Sequence, residues 1–261
     1  MKQNDSDIKR LHFVRDVEFN NVVALMPSDQ STTVLEIGSG TGHILNKLRE
    51  KYRDVDGLEV GGSSYSFGEN DVTLYDGKNI LFEDDSYDMI ISFHVMEHVT
   101  EFPALMKECT RVLRDGGVMI HVIPSSTWRF LTTLFYYVGA VTHVVRRFSQ
   151  QNSSQNVDDS SRSKKEFDKP SLWQSLGRKL LPARHGELGN VLTEQWYFSK
   201  TFWNKRFKEN GFSKGTGCEH GIVYWGHDFL RFWLTEKARL KLGKYVGPSS
   251  NTFYLINKKV S

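Results

Sequence analysis

Cysteine is nearly absent. The 261-residue chain holds two, Cys109 and Cys218, far apart in sequence. That excludes a disulfide framework and a zinc-type cysteine cluster, and it fits a reducing, cytoplasmic setting. Long apolar runs are missing too. The opening "MKQNDSDIKRLHFVRDVEF" lacks the uninterrupted apolar segment of a secretory signal. The most membrane-like stretch, "FLTTLFYYVGAVTHVV" at 130–145, carries Thr and His. It is shorter than the roughly 20 apolar residues that cross a bilayer, so it reads as a lid or interfacial helix. Strong charge of one sign is also lacking: +3 overall is too mild, by itself, for a nucleic-acid binder. What remains is a soluble, globular composition, 39% hydrophobic and 25% charged, long enough for one full core with an insertion.

Along the chain, Phe13, Val17, Val22 and Leu25 recur at helical spacing until Pro27 ends the run. Then strand candidates alternate with helical segments. "TTVLEIG", "DVDGLEV", "VTLYD", "YDMIISF" and "VMIHVIP" read as five strands, "HILNKLREKY" and "FPALMKECTRVL" as helices, and "RDGG" as the turn before the fifth strand. This alternation predicts an α/β fold with a doubly wound, mostly parallel sheet. Residues 34–124 form its cofactor-binding core. After Pro124 the pattern breaks: residues 125–195 read as an inserted lid, with an aromatic helix at 128–148 and a polar, low-complexity loop at 149–170. Order is expected to resume near "SLWQSLGRKLL". Residues 196–261 return to the sheet, with a helix in "SKTFWNKRFKENGF" and strands in "GIVYWG" and "NTFYLINKK".

The stretch "VLEIGSGTGH" at 34–43 carries the chemistry. A glycine turn between strand and helix lets backbone approach a ligand closely, with helix N–H groups nearby. A dinucleotide fingerprint reads GxGxxG, and a P-loop ends in Gly-Lys-Ser/Thr. Here Gly38, Gly40 and Gly42 give GxGxG around Ser39, no such lysine follows, and Glu36 precedes the first glycine by two residues. A carboxylate there repels a pyrophosphate and suits an ammonium group. Glu59, about 20 residues on, stands where a carboxylate accepts from ribose hydroxyls. Asp76 with Gly77 ends the weak third strand and is a candidate for the amine of a base, or simply an Asp-Gly turn.

Ammonium, ribose and base together describe S-adenosylmethionine. "VLEIGSGTGH", "LYDGKNILFEDDSYDMIISFHVMEHV" and "RVLRDGGVMIHVIP" resemble successive motifs of class I S-adenosylmethionine-dependent methyltransferases, within them the broad group that includes quinone-biosynthesis enzymes. The resemblance covers about residues 34–124 and implies a Rossmann-like seven-stranded sheet with a helical insertion after strand five. It also implies that Glu36 and the 38–42 turn hold the methionine moiety, Glu59 the ribose and Asp76–Gly77 the adenine side. Ser92, Phe93 and His94 would follow strand four beside the reactive methyl group. Two departures stand out: "ILF" at 80–82 where the family often has Leu-Pro-Phe, and Gly77 in place of the commoner Ala.

"HVMEH" at 94–98 matches a zinc-peptidase spacing. With no third ligand evident, no metal is expected, and Glu97 and His98 read as capping or packing groups. A hydroxyl acceptor needs a general base, and His94 is favoured, with His185 second and His220 third. The acceptor itself is left open between a small molecule and a lipid- or glycan-linked compound. The aromatic helix at 128–148 is followed by basic residues, nine Lys or Arg against four Asp or Glu over 146–184, a pattern that suits an anionic membrane surface. A nicotinamide-dependent oxidoreductase is disfavoured by Glu36. A non-catalytic methyltransferase-like module and a nucleic-acid methyltransferase stay as alternatives, the latter weakened by the lack of an NPPY-type motif after strand four.

Overall fold

The computed structural model describes residues 5–62, 72–153, 184–214, 223–224 and 235–256. Helix α1, Asp5–Val22, runs into a 3-10 turn at Val23–Leu25 just ahead of Pro27. Strand β1, Thr33–Ile37, feeds the glycine turn and helix α2, His43–Lys51. Strands β2, Asp54–Val60, and β3, Thr73–Tyr75, follow. Strand β4, Tyr87–Phe93, leads through a 3-10 turn at Met96–His98 into helix α3, Phe102–Val112, whose first turn contains Pro103. Proline fits there because its missing N–H would have had no intrahelical partner.

Strand β5, Leu113–Pro124, is followed by helix α4, Ser126–Ser153. The Ser125 hydroxyl accepts the Trp128 amide at 3.1 Å and so satisfies one of that helix's orphan donors. The short helix α5, Glu194–Tyr197, helix α6, Lys200–Glu209, strand β6, Ser213–Lys214, helix α7, Glu236–Val246, and strand β7, Ser250–Ile256, complete the elements. The Ser199 hydroxyl caps α6 and the Thr235 hydroxyl caps α7.

The seven strands form one sheet in the order β3-β2-β1-β4-β5-β7-β6. Strands β1 to β5 pair in parallel, and β7 is antiparallel to both β5 and β6. The chain winds outward from β1 to β3, then crosses back to β4 on the other side of β1. The crevice beyond the carboxyl ends of β1 and β4 is therefore the topological switch point, where ligands bind in sheets of this kind.

The central strands are apolar on both sides because helices cover both faces. Leu35, Ile37, Leu58 and Ile90 pack with Leu105, Met106 and Cys109 of α3 and Trp203 and Phe207 of α6. Val34, Met89 and Ile91 pack with Val22, Ile44 and Leu48 on the opposite face. At roughly 1.5–3 kcal/mol for each fully buried large side chain, these two layers hold the crevice rigid.

Three expectations are corrected. "RDGG" is not a turn ahead of the fifth strand but an irregularity inside it: Tyr87 pairs with Leu113 and Met89 with Val118, so the strand bulges between them, with Gly116 at φ 74°. Residues 149–153 continue α4 instead of opening the polar loop, since polarity limits burial without preventing local helix propagation. The antiparallel strand beside β7 is Ser213–Lys214. Of "GIVYWG", Val223 and Tyr224 carry no strand, and the other four residues lie outside the described ones, as do residues 154–183 with the rest of the expected loop and "SLWQSLGRKLL".

Candidate functional site

The glycine turn has the conformation its spacing calls for. Gly38, Gly40 and Gly42 sit at φ 77°, 51° and 73°, a region open to glycine at no steric cost. At Gly38 a β-carbon would also clash with Val95 Cγ2. The turn is tied to β2 by the Gly38 and Ser39 amides, which donate to the Leu58 carbonyl at 2.8 and 3.1 Å. Helix α1 lies alongside. His12 Nε2 is 3.0 Å from the Thr41 hydroxyl, its ring stacks on His43 at 4.0 Å, and His43 Nε2 meets Asp16 at 2.6 Å.

Glu36 stands under this turn, 2% exposed, with Oε2 lacking a hydrogen-bond partner and the Ser39 hydroxyl equally unsatisfied nearby. Burial pushes its carboxyl up to about 8, with Arg15 and Arg49 pulling the other way. The Ser39 hydroxyl also helps to pull the carboxyl down. Buried polar atoms are nearly always paired, so an unpartnered carboxyl oxygen at a switch point marks a group that a ligand can satisfy. Glu59 accepts the Gly40 amide at 2.6 Å through Oε2 and the Val60 amide at 3.0 Å through Oε1. A carboxylate has about four lone-pair positions, so two stay available.

The other expected cofactor residues divide. The Ser92 hydroxyl is fully buried and 2.8 Å from His121 Nδ1. Phe93 packs inward against Phe19, with centroids 6.5 Å apart. Both side chains serve the interior, and both residues pair with β5 at the end of β4. Asp76 binds its own loop: it accepts from the Lys78 and Asn79 amides at 2.8 and 2.7 Å, the reading of a turn residue, and Gly77 follows at φ 83°.

His94 is held in the left-handed region at φ 57°, where a non-glycine residue is strained. Its amide donates to the Val122 carbonyl at 2.7 Å, which fixes that conformation. Its Nε2 lies 2.8 Å from Glu18 Oε1, and the Tyr224 hydroxyl donates to the same oxygen at 2.8 Å. Burial raises the Glu18 carboxyl, but His94 and Arg15 beside it and the bonds from His94 and Tyr224 prevail and hold it at about 2. Burial, with Arg15, lowers His94. Glu18 is therefore an ionised, acceptor-only group, so Nε2 carries the proton of the bond between them. Glu18, Arg15 and Tyr224 were not anticipated. They come from the N-terminal helix and from residue 224, and no local motif announces a contact across 206 positions.

His185 stands in the segment that leads to α5. It packs on Trp128 at 4.5 Å between centroids and on His98 at 5.1 Å. Burial and the neighbouring His98 and His94 push it down to about 3. His220 falls outside the described residues.

A doubly wound sheet whose switch point offers a three-glycine turn, a buried acid beneath it and a second acid at the end of β2 defines a cofactor-binding domain of the class I methyltransferase kind. Comparison with known proteins agrees. Residues 11–214 match the family described as "Methyltransferase domain", and the chain belongs to that family, the S-adenosylmethionine-dependent methyltransferases. It is 25% identical over 137 residues to the demethylmenaquinone methyltransferase of Thermotoga maritima, 49% of this chain and 60% of that protein. It is 20% identical over 131 residues to the ubiquinone biosynthesis O-methyltransferase of Rhodopseudomonas palustris, 46% of this chain and 52% of that protein. The chain thus spans only about half to three fifths of these curated relatives. Among solved structures, a chain from the complex of the Haloferax volcanii Trm112 methyltransferase activator with a methyltransferase superposes with a TM-score of 0.57 at 14% identity, over 98% of this chain and 96% of that one. At that identity the likeness is one of fold.

Proposed function

We propose that this chain transfers a methyl group from S-adenosylmethionine to a small-molecule or lipid- or glycan-linked acceptor. The observation that carries the reading is the orphaned, buried Glu36 carboxyl beneath three positive-φ glycines. When bound, the cofactor supplies an electrophilic methyl carbon on a sulfonium. Glu36 receives its ammonium group. Arg15, whose guanidinium bonds Glu18 at 2.7 Å, supplies positive charge for its carboxylate. Glu59 accepts from the ribose hydroxyls, the backbone of Ser92 and Phe93 lines the floor, and Asp76–Gly77 borders the base. The protein's task is then alignment and exclusion of water. His94, oriented by Glu18, takes the acceptor's proton at Nδ1.

Glu59→Ala is expected to weaken cofactor binding by about 1.5–3 kcal/mol, the worth of charge-assisted hydrogen bonds. Calorimetric titration with the demethylated product S-adenosylhomocysteine measures it, and unchanged affinity removes Glu59 from the site. Incubation with methyl-labelled cofactor and separate aqueous and lipid extracts tests the activity. A non-catalytic module binds the cofactor and labels nothing.

A lipid-linked acceptor is supported by one face of α4. Phe130, Leu134, Tyr137 and Val138, at spacings that share a helix face, are between 36% and 56% exposed, as is Trp196 of α5 at 54%. No helix among the described residues is long and apolar enough to cross a membrane, so contact through 128–148 would be peripheral. Phe130→Ser with Leu134→Ser is expected to lower co-sedimentation with anionic vesicles severalfold. Sedimentation equal to the parent's argues for an ordinary soluble acceptor.

A further inference from the structure

The 3-10 turn after β4 and the segment entering α5 bring together a group that the methyl-transfer reading does not use. Glu97 Oε1 is encircled by three imidazole nitrogens: His98 Nε2 at 3.8 Å, His185 Nε2 at 3.9 Å and His94 Nδ1 at 3.9 Å. These separations are too long for hydrogen bonds. Neither Glu97 oxygen has a hydrogen-bond partner, although the side chain is only 1% exposed. A carboxyl group this buried, aimed into a ring of histidines and bonded to none, lacks something that would bridge them.

We propose that Glu97, His98 and His185 form a binding site for a first-row divalent cation of the zinc kind. One ligand atom from each lies within 4.8 Å of the others. Ligands about 2.0–2.1 Å from a tetrahedral zinc are about 3.4 Å from one another, so side-chain rotations of well under an ångström per residue close the set. Two imidazoles and one carboxylate select zinc, cobalt or ferrous iron over magnesium and calcium, which take oxygen. His98 and His185 are 44% and 37% exposed while Glu97 is buried. The site therefore opens to solvent on the histidine side, and three protein ligands leave a fourth position for water or an acceptor oxygen.

The backbone is already set for this. The Glu187 amide donates to the Glu97 carbonyl at 3.0 Å, pinning the two segments together. Glu194 Oε1 accepts the His185 and Gly186 amides at 2.7 and 2.9 Å. A β-carbon at residue 186 would lie 3.1 Å from the Glu97 carbonyl oxygen, so glycine permits the close approach. His94, whose Nε2 is held by Glu18, lies beside this set without joining it, its Nδ1 3.9 Å from the same carboxylate. The spacing of "HVMEH" points to His94 with His98, whereas the set gathered here uses Glu97 with His98; the third ligand arrives from the insertion, 87 residues beyond His98, where no spacing rule reaches.

Chelator-treated full-length protein titrated with Co²⁺ tests the site directly. The expected result is one equivalent bound with the intense visible bands of four-coordinate cobalt, displaced by Zn²⁺. His185→Ala and His98→Ala, both at half-exposed positions, are each expected to lower the affinity roughly tenfold or more. Their folding is checked by thermal unfolding and by binding of S-adenosylhomocysteine, a readout that stands or falls separately from the metal. Glu97→Gln adds the carboxylate test if it folds. Absence of stoichiometric binding by the parent protein, or parental affinity in both histidine variants, overturns the proposal.

Discussion

Replacing Glu194 with alanine is expected to cost about 3–5 kcal/mol of stability and roughly 10 °C of melting temperature. Glu194 and Arg129 are 0% and 1% exposed, with Arg129 Nε 2.9 Å from Glu194 Oε2. Burial lowers the Arg129 guanidinium and Glu194 opposes that fall. Taking two charges out of water is expensive, and their attraction offsets it only while both are present. Truncating Glu194 leaves the Arg129 charge buried without its counter-ion and removes the acceptor of the His185 and Gly186 amides. The loss of that acceptor is part of the total, since water reaches the half-exposed His185 side and replaces some of what is lost. Glu194→Gln keeps an acceptor at that position and is expected to lose less. The double variant Arg129→Met with Glu194→Ala is expected to recover part of the loss, because no unbalanced charge remains. Denaturant unfolding of the four proteins measures all of this. A single Glu194→Ala variant that melts with the parent shows that the pair contributes nothing net.

Much of the fold was readable because the signals were local. "DVDGLEV" and "YDMIISF" became β2 and β4 residue for residue, since a short apolar run bounded by turn residues has few other uses. The glycine spacing pointed to a close-approach turn between strand and helix, and the structure has that turn, with positive φ at 38, 40 and 42. What could not be read was long-range. That the Ser92 hydroxyl would turn to His121, or that Tyr224 would share the Glu18 oxygen with His94, depends on which strands and helices become neighbours. Short β strands are equally hard, because "SK" at 213–214 has no periodicity to detect and pairs only because β7 offers an open edge. Asp76 illustrates a third limit: an Asp-Gly pair reads as either a ligand or a turn, and its bonds to Lys78 and Asn79 favour the turn.

Glu36→Gln is expected to make the ligand-free protein more stable at pH 8 and a poorer binder of its cofactor. Burial holds the Glu36 carboxyl at about 8 against an ordinary 4.5, so between these values the native state keeps a proton that the unfolded chain has released. Stability therefore falls as pH rises through that window. Glu97, also raised to about 8 by burial, acts with the same sign. The histidines that burial lowers, His12, His94, His98, His121 and His185, act oppositely through and below 6.5, where the unfolded chain takes up protons that the native state refuses. Between about pH 7.5 and 8.5, where those histidines are nearly neutral in both states, the two carboxyls are left to set the slope, each contributing up to about 1.4 kcal/mol per pH unit. The parent is expected to lose stability across this interval, and Glu36→Gln about half as much. The same carboxyl must ionise to receive an ammonium group, so cofactor binding at pH 7 is expected to release a proton, seen by calorimetry in buffers of different ionisation enthalpy. The glutamine variant is expected to release none and to bind about 1.5–3 kcal/mol more weakly. Parental affinity with no proton release would place the amino group of the cofactor elsewhere and leave Glu36 as a buried acid without a ligand. The orphaned oxygen at the switch point makes the coupled outcome the expected one: the residue that strains the empty fold is the residue that the cofactor relieves.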